Sequence, residues 1–323
     1  MYKRQVSIGT DVHTRNSPTL INASFYTWTN WAGRFAAQWE LPLAVVENGL
    51  TMNGNRLQVA HRIFDAYKVE YEAVFNTTLP AELGTDLTRF PASGKPKPAS
   101  TPANPNPPDG IWETGMTAGD KLIVNTILAN YSKAIAAYMR LLVSHEAPFD
   151  KWVEGDATAI SASAQRGAEL FVGKANCSGC HSGPHFSDQR FHDLGAPGAA
   201  DDGRFKDVPG LLGSIFNVNG DFSDKKDTGL LDGLTNPMPD TAKGQFRTPG
   251  LRGAALTGPY MHSGGLATLE AVIDFYDAGG GATADDLEPL NLTAGEKADL
   301  VAFLNTLTGA AVPAPLLVDT AAP

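Results

Sequence analysis

Residues 177–181 read CSGCH, and they hold the only two cysteines of the chain. Two thiols three positions apart, with a histidine directly after the second, admit three readings. A structural zinc site needs about four ligands, and no second cysteine pair exists to complete one. A thioredoxin-like dithiol opens a helix after a strand, and no βαβ pattern surrounds this one, so a bare redox dithiol is the weakest reading. Covalently attached c-type haem accounts for every position. The sulfurs of Cys177 and Cys180 bond to the porphyrin vinyl groups, and His181 then lies under the iron as its proximal ligand.

Outward from the motif, ISASAQRGAELFVGKAN (160–176) forms a short amphipathic helix leading straight into it. Near the chain end, LTAGEKADLVAFLNTLTG (292–309) carries Thr293 as N-cap and Glu296 at the third helical position, with Leu300, Val301, Phe303, Leu304 and Leu307 as apolar cover. Between them, from about Ser182 to Gly250, lies a long irregular stretch rich in Gly, Asp and Pro.

In the first half, NGNRLQVAHRIFDAYKVEYEAVF (53–75) sets Leu57, Ala60, Ile63, Phe64, Tyr67, Tyr71 and Phe75 at helical spacing, with His61 at the edge of the stripe. PASGKPKPASTPANPNPPDG (91–110) is too proline-rich for helix or ladder and reads as an exposed loop, either a domain boundary or a long insertion within one domain. TAGDKLIVNTILANYSKAIAAYMRLLVSH (117–145) starts from Thr117 with Asp120 as a capping pair and is long enough to bridge two lobes. No strand alternation stands out. The expected class is all-α with much loop.

The chain has 323 residues, 42% of them apolar and 19% charged, with a formal net charge of −10. The sequence pI is about 5.1. No basic stretch exists to neutralise phosphates, which disfavours nucleic acid and anionic membranes as partners. No apolar run has the roughly 18–20 residues of a membrane span. The opening MYKRQVSIGTDVHTRN has no apolar core and is not a signal peptide. Because haem c is attached outside the bacterial inner membrane, the expectation is a periplasmic protein whose chain here is processed or truncated.

What completes the iron's coordination decides its chemistry. Downstream of the motif stand Met238, Tyr260, Met261, His262 and Tyr276. A methionine would raise the reduction potential, and a tyrosine phenolate would favour oxidised iron.

FRTPGLRGAALTGPYMHSGGLATLEAVIDFYDAGG (246–280) resembles the C-terminal haem domain of the bacterial di-haem cytochrome c peroxidases and their MauG-like relatives, which oxidise residues of a partner protein. The resemblance continues through CSGCHSGPHFSD, both flanking helices and RNSPTLINASFYTWTNWAGR (15–34), and so covers nearly the whole chain. It implies two cytochrome c-like lobes with long irregular loops, the N-terminal one incomplete. The implied division is 1–150 with the 91–110 insertion, a haem c domain over 151–315, and a tail over 316–323.

The resemblance also implies roles. Cys177, Cys180 and His181 hold the haem. Tyr276, fourteen positions after His262, stands where the peroxidase branch has methionine and the MauG-like branch has tyrosine, with Met261 as the fallback ligand. Trp31 corresponds to the tryptophan that relays electrons between two haems, whereas Trp28 and Trp39 read as core. An inter-domain calcium maps to Asn16, Thr257 and Pro259. Arg247 and Arg252 are candidates to neutralise the haem propionates.

Two departures stand out. The family's first CxxCH, for the haem that meets peroxide, would fall upstream of Met1. The glutamine and glutamate of its peroxide pocket, counted from Trp31, fall on Leu41 and Thr51, with Glu40 and Glu47 nearby; neither leucine nor threonine moves protons at neutral pH. The implied activity is a peroxide-using oxidoreductase acting on a small cytochrome, a cupredoxin or a protein substrate. The alternative is a mono-haem electron-transfer protein of the same family. His185 and His192 read as exposed loop histidines, and Asp201, Asp202 and Arg204 as turn chemistry.

Overall fold

The computed structural model describes residues 6–8, 12–96, 112–284 and 287–319. Most of the 91–110 insertion lies outside the described residues. The elements run β1 (Val6–Ile8), β2 (Val12–Asn16), α1 (Glu40–Glu47), α2 (Arg56–Phe75), α3 (Trp112–Gly115), α4 (Ala118–Met139), α5 (Pro148–Val153) and α6 (Ala162–Val172). Then follow β3 (Phe191–His192), α7 (Arg204–Leu212), β4 (Phe246–Arg247), α8 (Leu269–Asp277) and α9 (Ala294–Asn305). The protein is mostly helical, and the all-α expectation is corrected by two small two-stranded sheets, β1–β2 and β3–β4. A pair of two-residue strands offers no alternation for a sequence pattern to display.

Two compact units divide the chain: 39–137 with 8–12, and 13–38 with 138–323 and 1–7. The boundary expected at residue 150 falls inside the second unit. The smaller unit packs α2 and α4 around Leu57, Ala60, Tyr71, Leu83, Phe90 and Ile127. Asn55 caps α2 by accepting from the Gln58 N–H at 3.0 Å. Thr117 accepts from the Asp120 N–H at 3.2 Å and donates to its carboxylate at 2.8 Å, the pair that the spacing predicts. His61 bridges the carbonyls of Leu83 and Pro91, each at 2.9 Å, and is a structural pin at the core edge.

The larger unit is built on α6 crossing α9, with Phe171, Phe186, Leu300, Phe303, Leu304 and Leu307 in its core. The crossing is close because Gly167 has no side chain: a Cβ there would lie 2.0 Å from the Asp299 carbonyl oxygen. Asp299 then accepts both Nε and Nη2 of Arg166 at 2.8 Å and the Ser163 hydroxyl at 2.5 Å, so the helices are pinned where they touch. Thr293 and Glu296 form the expected capping box on α9, with the Thr293 N–H donating to Glu296 at 2.7 Å. On the other side, Arg15 of β2 forks onto Asp201 through two 2.6 Å bonds and reaches Asp207 of α7 at 2.6 Å. Asp201 is therefore an anchor for β2 rather than only a turn residue. Among the described residues, no helix is long and apolar enough to cross a membrane.

Candidate haem site

The turn Cys177–Gly179 follows directly on α6, and the His181 N–H donates back to the Cys177 carbonyl at 2.8 Å. That turn brings both thiols and the imidazole to one cavity of about 230 Å³. His181 Nδ1 lies 2.9 Å from the Phe186 carbonyl. A carbonyl only accepts, so Nδ1 carries the proton and Nε2 keeps the lone pair that a metal needs. Burial pulls the imidazole pKa down, which favours the same neutral form. Neither cysteine is in a disulfide, and burial pushes the Cys177 thiol up to about 11.

Tyr276 reaches the cavity from α8, a helix started by the Thr268 hydroxyl accepting from the Ala271 N–H at 3.2 Å. Burial, with the two cysteines adding to it, pushes the phenol far above its ordinary value. The remaining walls are largely apolar, including Leu194, Leu251, Leu269, Val272, Leu290 and Leu304. Two thiols, an imidazole with a fixed tautomer, a buried phenol and apolar walls are the donor set and surroundings that haem c requires.

The other ligand candidates separate. Met261 lines the cavity, but Met238 does not. The Tyr260 hydroxyl is engaged by the Ala254 carbonyl at 3.2 Å. His262 is buried in a face-to-face stack on Phe246, with centroids 3.7 Å apart. Trp31 also lines the cavity and donates from Nε1 to the Asn16 carbonyl at 2.6 Å.

The two candidate arginines part company. Arg247 faces the cavity with its Nε buried and unpaired, and desolvation pulls its pKa down. Arg252 does not line the cavity. Its guanidinium forks onto Asp150 at 2.9 and 2.8 Å, and its Nε donates to the Pro184 carbonyl at 2.6 Å.

Asn16, Thr257 and Pro259 come partly together. Asn16, 1% exposed, donates from Nδ2 to the Pro259 carbonyl at 2.6 Å, while its Oδ1 is buried without a partner. The Thr257 hydroxyl donates to Ala254 at 3.0 Å. Turning the amide over would set Oδ1 against the Pro259 oxygen, an arrangement that a hard cation between them would hold.

Three residues read as loop chemistry in the sequence lie elsewhere. His192 lines the cavity and meets Asp188 at 3.0 Å; with Cys180, their ligand atoms fall within 4.8 Å of one another. His185 stacks on Phe25 with centroids 4.3 Å apart. Arg204 is 7% exposed and sits between Phe191 (3.7 Å) and Trp28 (4.9 Å), with burial pulling its pKa down to about 10. The four-residue spacing of Asp188 and His192 was the only sequence signal for their pairing. Nothing in the sequence marked the stacking of Arg204 between two rings, or Tyr26, whose ring lies under Arg247.

In the smaller unit, the Thr51 hydroxyl donates to the Val45 carbonyl and, at 3.0 Å, to that of Asn48. Leu41 is a half-buried residue of α1. Glu47 is paired with Arg56, Nη2 to Oε2 at 2.6 Å, and Glu40 is 1% exposed at the start of α1.

Comparison with known proteins gives three kinds of match. The family profile described as di-haem cytochrome c peroxidase matches residues 2–95. The cytochrome-c peroxidase IdrP1 of Denitromonas iodatirespirans is 35% identical over 309 residues, 92% of this chain and 69% of that protein. The methylamine utilization protein MauG of Methylorubrum extorquens is 40% identical over 177 residues, 54% of this chain and 42% of that one. Among solved structures, the diheme peroxidase BthA of Burkholderia thailandensis superposes with a TM-score of 0.64 at 17% identity, over 99% of this chain and 80% of that one, a likeness of fold.

Proposed function

Because this chain belongs to the di-haem cytochrome c peroxidase family and is a peroxidase-type oxidoreductase, we propose that its larger unit is a c-type haem domain storing or relaying oxidising equivalents drawn from hydrogen peroxide. The observation that carries this is the meeting of Cys177, Cys180, His181 and Tyr276 in one cavity, with His181 Nδ1 tied to Phe186. When bound, haem c supplies one-electron redox chemistry. The chain's residues do the rest. The two cysteines tether the group, and His181 presents Nε2 to the metal. Tyr276 would offer its phenolate oxygen to the metal, and Arg247 would offer its unpaired Nε to a propionate. Trp31 carries charge between this cavity and the second haem that the family implies. The electron donor is a redox protein, either a small cytochrome or cupredoxin or a protein oxidised in place, and the compartment is the periplasm.

Proton handling at the peroxide site does not come from position 41 or 51. The Thr51 hydroxyl is engaged by two backbone carbonyls and Leu41 has no proton to give.

Tyr276 is the testable centre of this reading. Its phenol resists ionisation in the buried site, so ligation as phenolate must expel a proton. Ligation therefore weakens as pH falls and strengthens as it rises. In the ferric protein, the phenolate-to-iron absorption should fade on acidification. Tyr276→Phe should lack that band at every pH, and Tyr276→Met should raise the reduction potential and make the spectrum insensitive to pH over the same range. A native spectrum identical to that of Tyr276→Phe would remove tyrosine from the coordination sphere. Intact mass giving no covalent haem would remove the whole reading.

For calcium, the buried Oδ1 of Asn16 supports a site with the backbone oxygens of Thr257 and Pro259. Asn16 also holds the Trp31 indole through its carbonyl. Chelation should therefore shift tryptophan fluorescence and slow electron relay about tenfold or more, with recovery on adding Ca²⁺. Asn16→Ala should show the shifted spectrum from the start and no response to chelator.

A further inference from the structure

The guanidinium of Arg247, a half-buried residue, has its Nε fully covered and is held from several directions. Its residue pairs with Phe191 across β3 and β4, and its N–H donates to the Trp31 carbonyl at 2.7 Å. Its Nη1 donates to the Thr248 carbonyl at 3.0 Å. Among the described residues no carboxylate pairs with it, and its Nε has no acceptor. Beneath it lies Tyr26, with Cζ 4.4 Å from the ring centroid. Tyr26 is itself fixed. Its hydroxyl packs where Gly250 leaves room, since a Cβ at 250 would collide with it, and its ring meets His185 edge-on at 6.1 Å. A desolvated cation over an aromatic face is held by the ring quadrupole, so the face sets both the position and the energy of the charge.

We propose that Tyr26 is a positioning residue that holds the Arg247 charge against the haem cavity and thereby sets the reduction potential of the group bound there. This rests on the haem reading of the cavity. A fixed positive charge favours the reduced, more negative form, and it acts strongly where water is excluded. Without the ring, the guanidinium swings towards water, its field at the cavity is screened, and the oxidised form gains.

The test uses the haem-loaded protein, with covalent haem verified by intact mass and the midpoint read by spectroelectrochemistry. Tyr26→Phe keeps the aromatic face and should hold the native midpoint. Tyr26→Leu should lower the reduced-to-oxidised ratio at fixed applied potential by about three- to tenfold. Arg247→Gln should lower it at least as much, and the double variant no further than Arg247→Gln alone, because both changes remove one effect. Should Tyr26→Leu fail to retain haem, a fluorinated phenylalanine at position 26 weakens the ring face at nearly constant shape and should give a graded shift. A shift in Arg247→Gln with none in Tyr26→Leu or the fluorinated variant overturns the inference, as does full additivity in the double variant. Wild-type protein carrying no covalent haem overturns instead the reading on which it rests, and mass alone tells the two failures apart.

Discussion

A Cys177→Ser, Cys180→Ser double variant, produced in cells able to attach haem, should lose the mass of one covalent haem. Neither serine can form a thioether, and the chain has no other cysteine to substitute. The loss extends to stability. His181 and Tyr276 line a cavity walled mainly by apolar side chains, which the proposed tethered haem would fill without exchange. A group held at a thousandfold its dissociation constant contributes about 4 kcal/mol to the folded state. In a domain of this size that corresponds to a fall of about 10 °C in Tm. His181→Ala should separate the two effects, keeping the thioether mass while losing the native spectrum. If the double variant carries as many covalent haems by mass spectrometry as the unaltered protein, the assignment of these sulfurs is wrong.

The second large effect is expected far from any redox group. Gly167→Ala places a Cβ 2.0 Å from the Asp299 carbonyl oxygen and 2.8 Å from Phe303 Cβ. Neither is the loose end of a flexible chain. Relief requires α6 and α9 to part, which breaks the grip of Arg166 and Ser163 on Asp299 and opens the core around Phe171 and Phe303. The cost should be about 3 kcal/mol or more, at the upper end of what overpacking does. Denaturant titration followed through the haem band measures it. Gly210→Ala in α7 is the control: nothing lies within 4 Å of its added Cβ, and helix propensity favours alanine there. Equal midpoints for the two variants would show that the crossing tolerates a methyl group.

Much of this could be read in the letters, for identifiable reasons. The capping boxes and the helices of 162–172 and 294–305 depend on local chemistry, which sequence displays directly. CSGCH encodes its own geometry within five residues, and Tyr276, which the family resemblance singled out, lines the same cavity. Contacts that close across long separations behaved differently. Arg247 and Arg252 look alike in the text, but Asp150 captures one and leaves the other facing the cavity. The Arg204 sandwich joins residues 28, 191 and 204, and the Tyr26–Arg247 stack joins partners more than two hundred positions apart. No periodicity announces such meetings. The β3–β4 pair escaped because two residues per strand carry no pattern.

The raised thiol of Cys177 bears on how the protein is made. With its pKa pushed up to about 11, only about one molecule in ten thousand carries the thiolate at neutral pH. Thiolates, not thiols, attack disulfides and oxidants, so a chain that folds before receiving its cofactor holds that sulfur in a chemically quiet state. In the periplasm proposed above, that quietness would guard against premature oxidation. It would equally slow unassisted thioether formation in the folded chain, so the proposed haem attachment would be faster before the fold closes over the sulfur.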